Sequence, residues 1–321
     1  MPRTLIRKNP SDFKTLPLLV EATPEGLSYQ SVGMPLNFAQ TLHKRKPVAV
    51  DDPERFTLEL ANLGVSVRLT LHWHNRDYWV LVRQRRQDRG DVVLKLISGY
   101  VPAHELAIPL LTAIAEIAEE CLLETPEGWL TGRFNDTWLP APYSAALHYR
   151  EALPFRLTPL SGAARPVRCG ALQLMERPQT YVHLPTASLQ LIYDLRLEVP
   201  RDAKSLSLFH VDERLENDQL VARLDRSRPD LYLMPLKDGR PCAELYTLKK
   251  DQLHPASTRG LYLAESFARQ EGWVVREERI RWKDWVRQQG MAEPEKDSKI
   301  RRLTGKARQI LRKIVPVKTG R

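Results

Sequence analysis

"SGYVPAHELAIPLLTAIAEIAEECLLE", residues 98–124, decides how this chain is read. It carries five glutamates, and three of them, Glu116, Glu119 and Glu120, fall at i, i+3 and i+4. At about 100° per residue these three share one side of a helix. Leu110, Leu111, Ile114, Ile117, Ala118, Cys121 and Leu122 fill the opposite arc. The apolar arc is expected to pack on a sheet and leave the carboxylates converging. Like charges four residues apart repel by roughly a few tenths of a kcal/mol, and nothing basic intervenes to relieve them. Two readings stay open: a solvated acidic face, or a site for Mg2+ or Mn2+, hard cations that prefer carboxylate oxygens.

Upstream, "VSVRLTLHW" and "DYWVLVRQRR" read as strands joined by a turn at "HNRD". His72 and His74 are expected on one solvated strand face. "DVVLKLISGYV" reads as a third strand leading into the acidic segment. Further upstream, "LPLLVEATPEGLSYQSVG" reads as two short strands about "TPEG". "DPERFTLELANLG" reads as a short helix closed by Gly64. The "TPEG" at Thr23 recurs at Thr125, which suggests a second turn of the same type.

Downstream, residues 125–187 are rich in Pro and aromatic residues and read as an insertion with little regular structure. "SLQLIYDLRLEVP" reads as a strand, and "DLYLMPLKDGRPCAELYTL" as a hairpin with Lys237-Asp238-Gly239-Arg240 at its tip. "STRGLYLAESFARQEG" and "EERIRWKDWVRQQG" read as helices. The expected organisation is an N-terminal extension over 1–60, a main domain over 61–290 with the insertion at about 125–187, and a linker with a basic tail over 291–321.

At 321 residues and 42% hydrophobic, the chain can bury one large core or two small ones. No apolar run approaches the length of a membrane-spanning helix. The N-terminus has no apolar signal-peptide core. Cys121, Cys169 and Cys242 are odd in number and lack CxxC spacing, against a disulfide framework or a zinc ribbon. The expectation is a soluble cytoplasmic protein. P-loop, GxSxG, HExxH and GxGxxG patterns are all missing. Of the net charge of +10, residues 296–321 hold nearly all, with ten Lys or Arg against one Asp. There Ile300, Leu303, Ala307, Ile310, Leu311 and Ile314 fall on one helical arc. That pattern fits a helix docked on its own domain, an anionic membrane surface at the inner face of the membrane, or, with no aromatic for stacking, less well a nucleic acid.

The spacing of the opening stretch resembles the Nudix box. Gly99 and Glu105 match its Gly and first Glu. Glu116 matches the Glu of its Arg-Glu pair, Ile117 the aliphatic position, Glu119 and Glu120 its Glu-Glu pair, and Leu123 the last aliphatic. The strands before it resemble those of the branch that hydrolyses ADP-ribose and nucleotide sugars. The resemblance implies an α/β fold, a Nudix-like α/β/α sandwich with a mixed sheet. It implies a pyrophosphatase dependent on Mg2+ or Mn2+ that cleaves a nucleoside-diphosphate conjugate. In that reading the metal neutralises the phosphoryl groups and lowers the pKa of the attacking water. Glu116, Glu119 and Glu120 would carry it, with Glu120 and Glu105 in catalytic roles. Glu213 and Glu216 in "FHVDERLEND" are the candidates for a general base outside the box, or else solvated acids. Arg83, Arg85 and Arg86, with Gly99, are the candidates for the substrate, or else the arginines are exposed strand-end charges.

The chain departs from the box in four respects. The loop after Glu105 is two residues longer. Ala115 stands in place of the Arg and Leu122 in place of the closing Gly. Lys95 and Ile97 stand where that branch carries Glu and Pro. These departures leave open a degenerate Nudix-like domain that binds a nucleotide or a protein partner without hydrolysing it.

Overall fold

A computed structural model describes residues 2–9, 13–44, 46–85, 92–160, 162–217 and 219–291. The basic tail over 296–321 and Arg86 lie outside the described residues. The chain is mixed α/β, dominated by a large mixed sheet. The strands that matter for the site are β1 (Arg3–Lys8), β2 (Leu18–Thr23), β3 (Gly26–Ser31), β4 (Phe56–Trp73), β5 (Arg76–Arg85), β6 (Val92–Lys95) and β7 (Ile97–Tyr100). After them come β8 (Cys121–Thr125), β9 (Gly128–Phe134), β10 (Tyr149–Pro159), β11 (Gln179–His183), β12 (Ser188–Glu198), β13 (Ser207–Glu216), β14 (Gln219–Leu224) and β15 (Leu231–Lys237). The α-helices among the described residues are α1 (Phe38–Lys44), α2 (Pro109–Glu120) and α3 (Trp282–Gln288), and none is long and apolar enough to cross a membrane.

The 18-residue strand β4 is the spine. Its first part pairs antiparallel with β2, its middle antiparallel with β7, its end antiparallel with β5, and residues 62–72 run parallel to β12. Alternation along β4 sends Leu63, Val65, Val67, Leu69 and Leu71 to one face, where they share a buried core with Leu110, Ala113, Ile114 and Ile117 of α2. On the other face Leu81, Leu94, Leu96 and Ile192 meet Trp282, Trp285 and Val286 of α3. Arg165 bridges distant segments of the chain. Its guanidinium lies 3.5 Å from the Trp273 ring centroid and donates to the Gly272 carbonyl at 2.8 Å.

The turns follow the sequence reading. His74 and Asn75 have φ of 47° and 58°, the left-handed pair of a type I′ hairpin between β4 and β5. The two TPEG segments are equivalent: the Thr23 and Thr125 hydroxyls donate to the Gly26 and Gly128 carbonyls at 3.3 and 3.0 Å.

Several expectations are corrected. Residues 56–64 form the start of β4, not a helix. The helix-like spacing of Leu58 and Ala61 comes from an extra residue in the strand. Val20 pairs with Leu58 and Leu18 with Ala61, and Leu60 between them takes φ 64°. "DVVLKLISGYV" is two strands rather than one. β6 pairs with β5 and β7 with β4, so the segment changes partner at Leu96. His74 is a turn residue, so only His72 sits in the strand. Residues 125–187 carry β9, β10 and β11, against the expectation of little regular structure, because β10 finds parallel and antiparallel partners in β9 and β12. "STRGLYLAESFARQEG" is a short strand, Tyr262–Ala264, and a 3-10 turn, Glu265–Phe267. Leu263 is drawn into the sheet beside Leu94. In the last helical segment Arg279–Arg281 is strand, and the helix begins at Trp282.

Candidate functional site

Helix α2 has a Pro at its start, and its chain passes directly from Glu120 into β8, with Cys121 extended at φ −119° and ψ 94°. The extended backbone at Cys121 ends the helix. The buried stripe is Leu110, Ala113, Ile114, Ile117 and Ala118, while Leu111, expected on the apolar arc, is exposed. This docking turns Glu116 toward β7. Gly99 lies opposite Val65 on the face that α2 covers. A Cβ at Gly99 would overlap the Glu116 carboxylate, so the missing side chain is what admits the carboxylate.

Three more carboxylates act on that position. Burial first, then the charges of Glu120, Glu119 and Glu213, hold the Glu116 carboxyl well above its ordinary range, and Lys95 opposes them. Among the described residues none donates a hydrogen bond to Glu116. Glu119 faces Lys8 of β1 at 3.4 Å, and its backbone carbonyl accepts from the Tyr143 hydroxyl at 3.2 Å. Glu120 presents Oε1 to Lys95 Nζ at 3.3 Å, while its Oε2 is buried and has no hydrogen-bond partner among the described residues. Its backbone carbonyl lies 3.2 Å from Nδ1 of buried His210. Glu213, on β13, also buries an oxygen, Oε1, that has no hydrogen-bond partner among the described residues. Burial first, and then the Glu119 charge, pushes its carboxyl up to about 7.

Lys95 is the cation at the centre of this group. It is buried, and Nζ donates to the Ser98 carbonyl at 3.2 Å and the Ser98 hydroxyl at 2.9 Å besides its ion pair with Glu120. A backbone carbonyl, a hydroxyl and a carboxylate make the all-oxygen donor set that a hard cation takes, and an ammonium fills it. Among the described residues no group of three or more His, Cys, Asp or Glu side chains is placed to hold a metal ion. As the side chains stand, the set does not fit a resident Mg2+ or Mn2+.

The remaining expected residues lie apart. Glu105 is held at the start of α2, where the Thr112 hydroxyl donates to it at 2.5 Å, and it is not among the principal charges acting on Glu116. Glu216 is three residues beyond Glu213, on the other face of β13, and pairs with Arg223 at 2.5 Å. Arg83 is 3.4 Å from Asp230, and Arg85 is exposed at the end of β5. Sequence reasoning missed Lys8, Tyr143 and His210 as neighbours of the carboxylates, since they come from strands and loops far along the chain. For Lys95 the signal was present: one charge inside the apolar run "VVLKLI".

In comparisons with protein-family models, curated proteins and solved structures, nothing matches this chain.

Proposed function

We propose that this chain is a catalytically silent Nudix-like domain, an α/β/α arrangement that binds a nucleotide-type ligand without metal-dependent hydrolysis. The order Gly99, Glu105 and a carboxylate helix supports the Nudix-like reading, as does the placement of α2 and α3 on opposite faces of a mixed sheet. The observation that carries the silence is Lys95, whose buried ammonium takes the oxygen set a divalent cation would need. With that position filled, the remaining carboxylates repel a diphosphate instead of recruiting it through metal.

One observation favours turnover as the second reading. Glu213, a general-base candidate, adjoins the carboxylates of α2 with its carboxyl near 7, poised for proton transfer at neutral pH.

The test is a panel of ADP-ribose, nucleotide sugars, dinucleoside polyphosphates and nucleoside triphosphates with millimolar Mg2+ or Mn2+. The expected result is no release of nucleoside monophosphate or phosphate. Metal-dependent release from any member, lost in Glu213→Gln, would establish the second reading instead.

A further inference from the structure

The acidic centre leaves the question of where an anionic ligand could sit. About 25 Å further along β4, at about 3.3 Å per residue from Val65, the strand ends in an open cleft. Its volume is about 850 Å³, and its wall includes His72, His74, Arg156, Glu198 and Arg201. That volume lies in the range of about 300–1,000 Å³ typical of small-molecule sites.

The acids of this cleft are already engaged. Strand pairing sets Arg156, Glu198, His72 and Asp77 in one row across β10, β12, β4 and β5. Asp77 accepts from His72 Nδ1 at 2.6 Å and meets Arg196 Nη2 at 3.3 Å. Glu198 lies 3.3 Å from Arg196 Nε. Arg196 thereby holds both carboxylates back. Arg156 and Arg201 stand differently: both are exposed, and among the described residues neither has an acid or a carbonyl as partner. Among the described residues the cleft therefore offers two guanidiniums without an acidic partner and the exposed His74, on a wall where Arg196 engages both carboxylates. A guanidinium is a planar fork that matches phosphate oxygens two at a time. Pro154, Val199 and Pro200 add an apolar surface beside the charges, as a ligand with a non-polar portion requires.

We infer that this cleft binds a phosphate-bearing small molecule of mononucleotide size, with Arg156 and Arg201 gripping the phosphate, and that it does so without a metal. The inference goes beyond the silence of the acidic centre and stands whether or not that centre turns over.

The experiment is calorimetric titration of the full chain with ADP in EDTA, beside adenosine and inorganic pyrophosphate. ADP and pyrophosphate are expected to bind and adenosine to fail. Arg156→Ala with Arg201→Ala should weaken ADP at least tenfold at an unchanged melting temperature. His74→Glu, a charge reversal in an exposed turn, should weaken it as well. Failure of both ADP and pyrophosphate to bind at millimolar concentration would overturn the inference. So would an unchanged ADP affinity in the double arginine variant. Because EDTA removes metal chemistry from the titration, its outcome is read separately from any turnover at the acidic centre.

Discussion

The Glu116 carboxylate occupies the space that a side chain at Gly99 would fill. A β-strand and a helix packed this closely admit only one tenant at the contact. Glycine on the strand is therefore the condition for a carboxylate on the helix.

Gly99→Ala should destabilise the fold by roughly 1–3 kcal/mol, the range of overpacking a filled site. Glu116→Ala in the same chain should recover most of that loss. Urea denaturation of the two single variants and the double variant gives the coupling directly, expected to be about 1 kcal/mol or more. Additive losses would mean that Gly99 serves some need other than the carboxylate.

Lys95→Met removes the one cation that pairs with the Glu120 carboxylate among the described residues and leaves that carboxylate buried without it. The expected cost is about 3 kcal/mol at pH 8, as for other broken buried pairs, and less at pH 5, where the carboxyls take up protons instead. Millimolar Mg2+ should leave the melting temperature of the parent unchanged and raise that of Lys95→Met, since the vacated oxygen set then has room for a cation. An equal shift in both proteins would show that the ammonium does not hold the cation position.

Glu213 gives the pH dependence a sign. Its folded-state carboxyl titrates near 7 against an ordinary 4.5, so the fold binds this proton more tightly than the unfolded chain does. The stabilisation is complete below about 4.5 and is lost as pH rises through 7. It amounts to about 3 kcal/mol. Glu116, also raised, acts in the same direction. Glu213→Gln should therefore gain stability over the parent between pH 5 and 8, with the difference growing across that window. Parallel stability curves for the two proteins would remove the shifted carboxyl.

Trp273 and Arg165 act as one unit. Trp273→Phe loses the indole donation to the Thr23 carbonyl at 2.7 Å and should cost about 1–3 kcal/mol. Arg165→Ala loses the cation above the ring and the bond to Gly272, at about 1–2 kcal/mol. The double variant should fall short of the sum, because both substitutions act on the same ring. Full additivity in equilibrium unfolding would separate them.

Local chemistry made part of this molecule legible. The period of Glu116, Glu119 and Glu120 against Ile114 and Ile117 specified a helix with an acidic side, because helical geometry depends only on residues three and four apart. His74-Asn75, Asp238-Gly239 and the two TPEG turns were readable for a related reason: a left-handed φ or a Thr-to-Gly bond is settled within four residues. Where pairing partners decide, the sequence misled. Residues 56–64 have helical spacing on paper, yet β2 offers them a ladder of hydrogen bonds and a bulge at Leu60 absorbs the extra residue. The site divides in the same way. The three carboxylates of α2 could be read from their spacing. Glu213 was one of two equal candidates, and only the pleat of β13 set it beside them and turned Glu216 toward Arg223. Lys95 was visible as a charge in an apolar run. That its ammonium lies among the Ser98 and Glu120 oxygens depends on the partner change at Leu96 and on the docking of α2, which bring distant segments into one space of low dielectric. Burial and long-range pairing are properties of the assembled sheet, so they, and the charge balance they impose on the carboxylates, were decided by the tertiary structure alone.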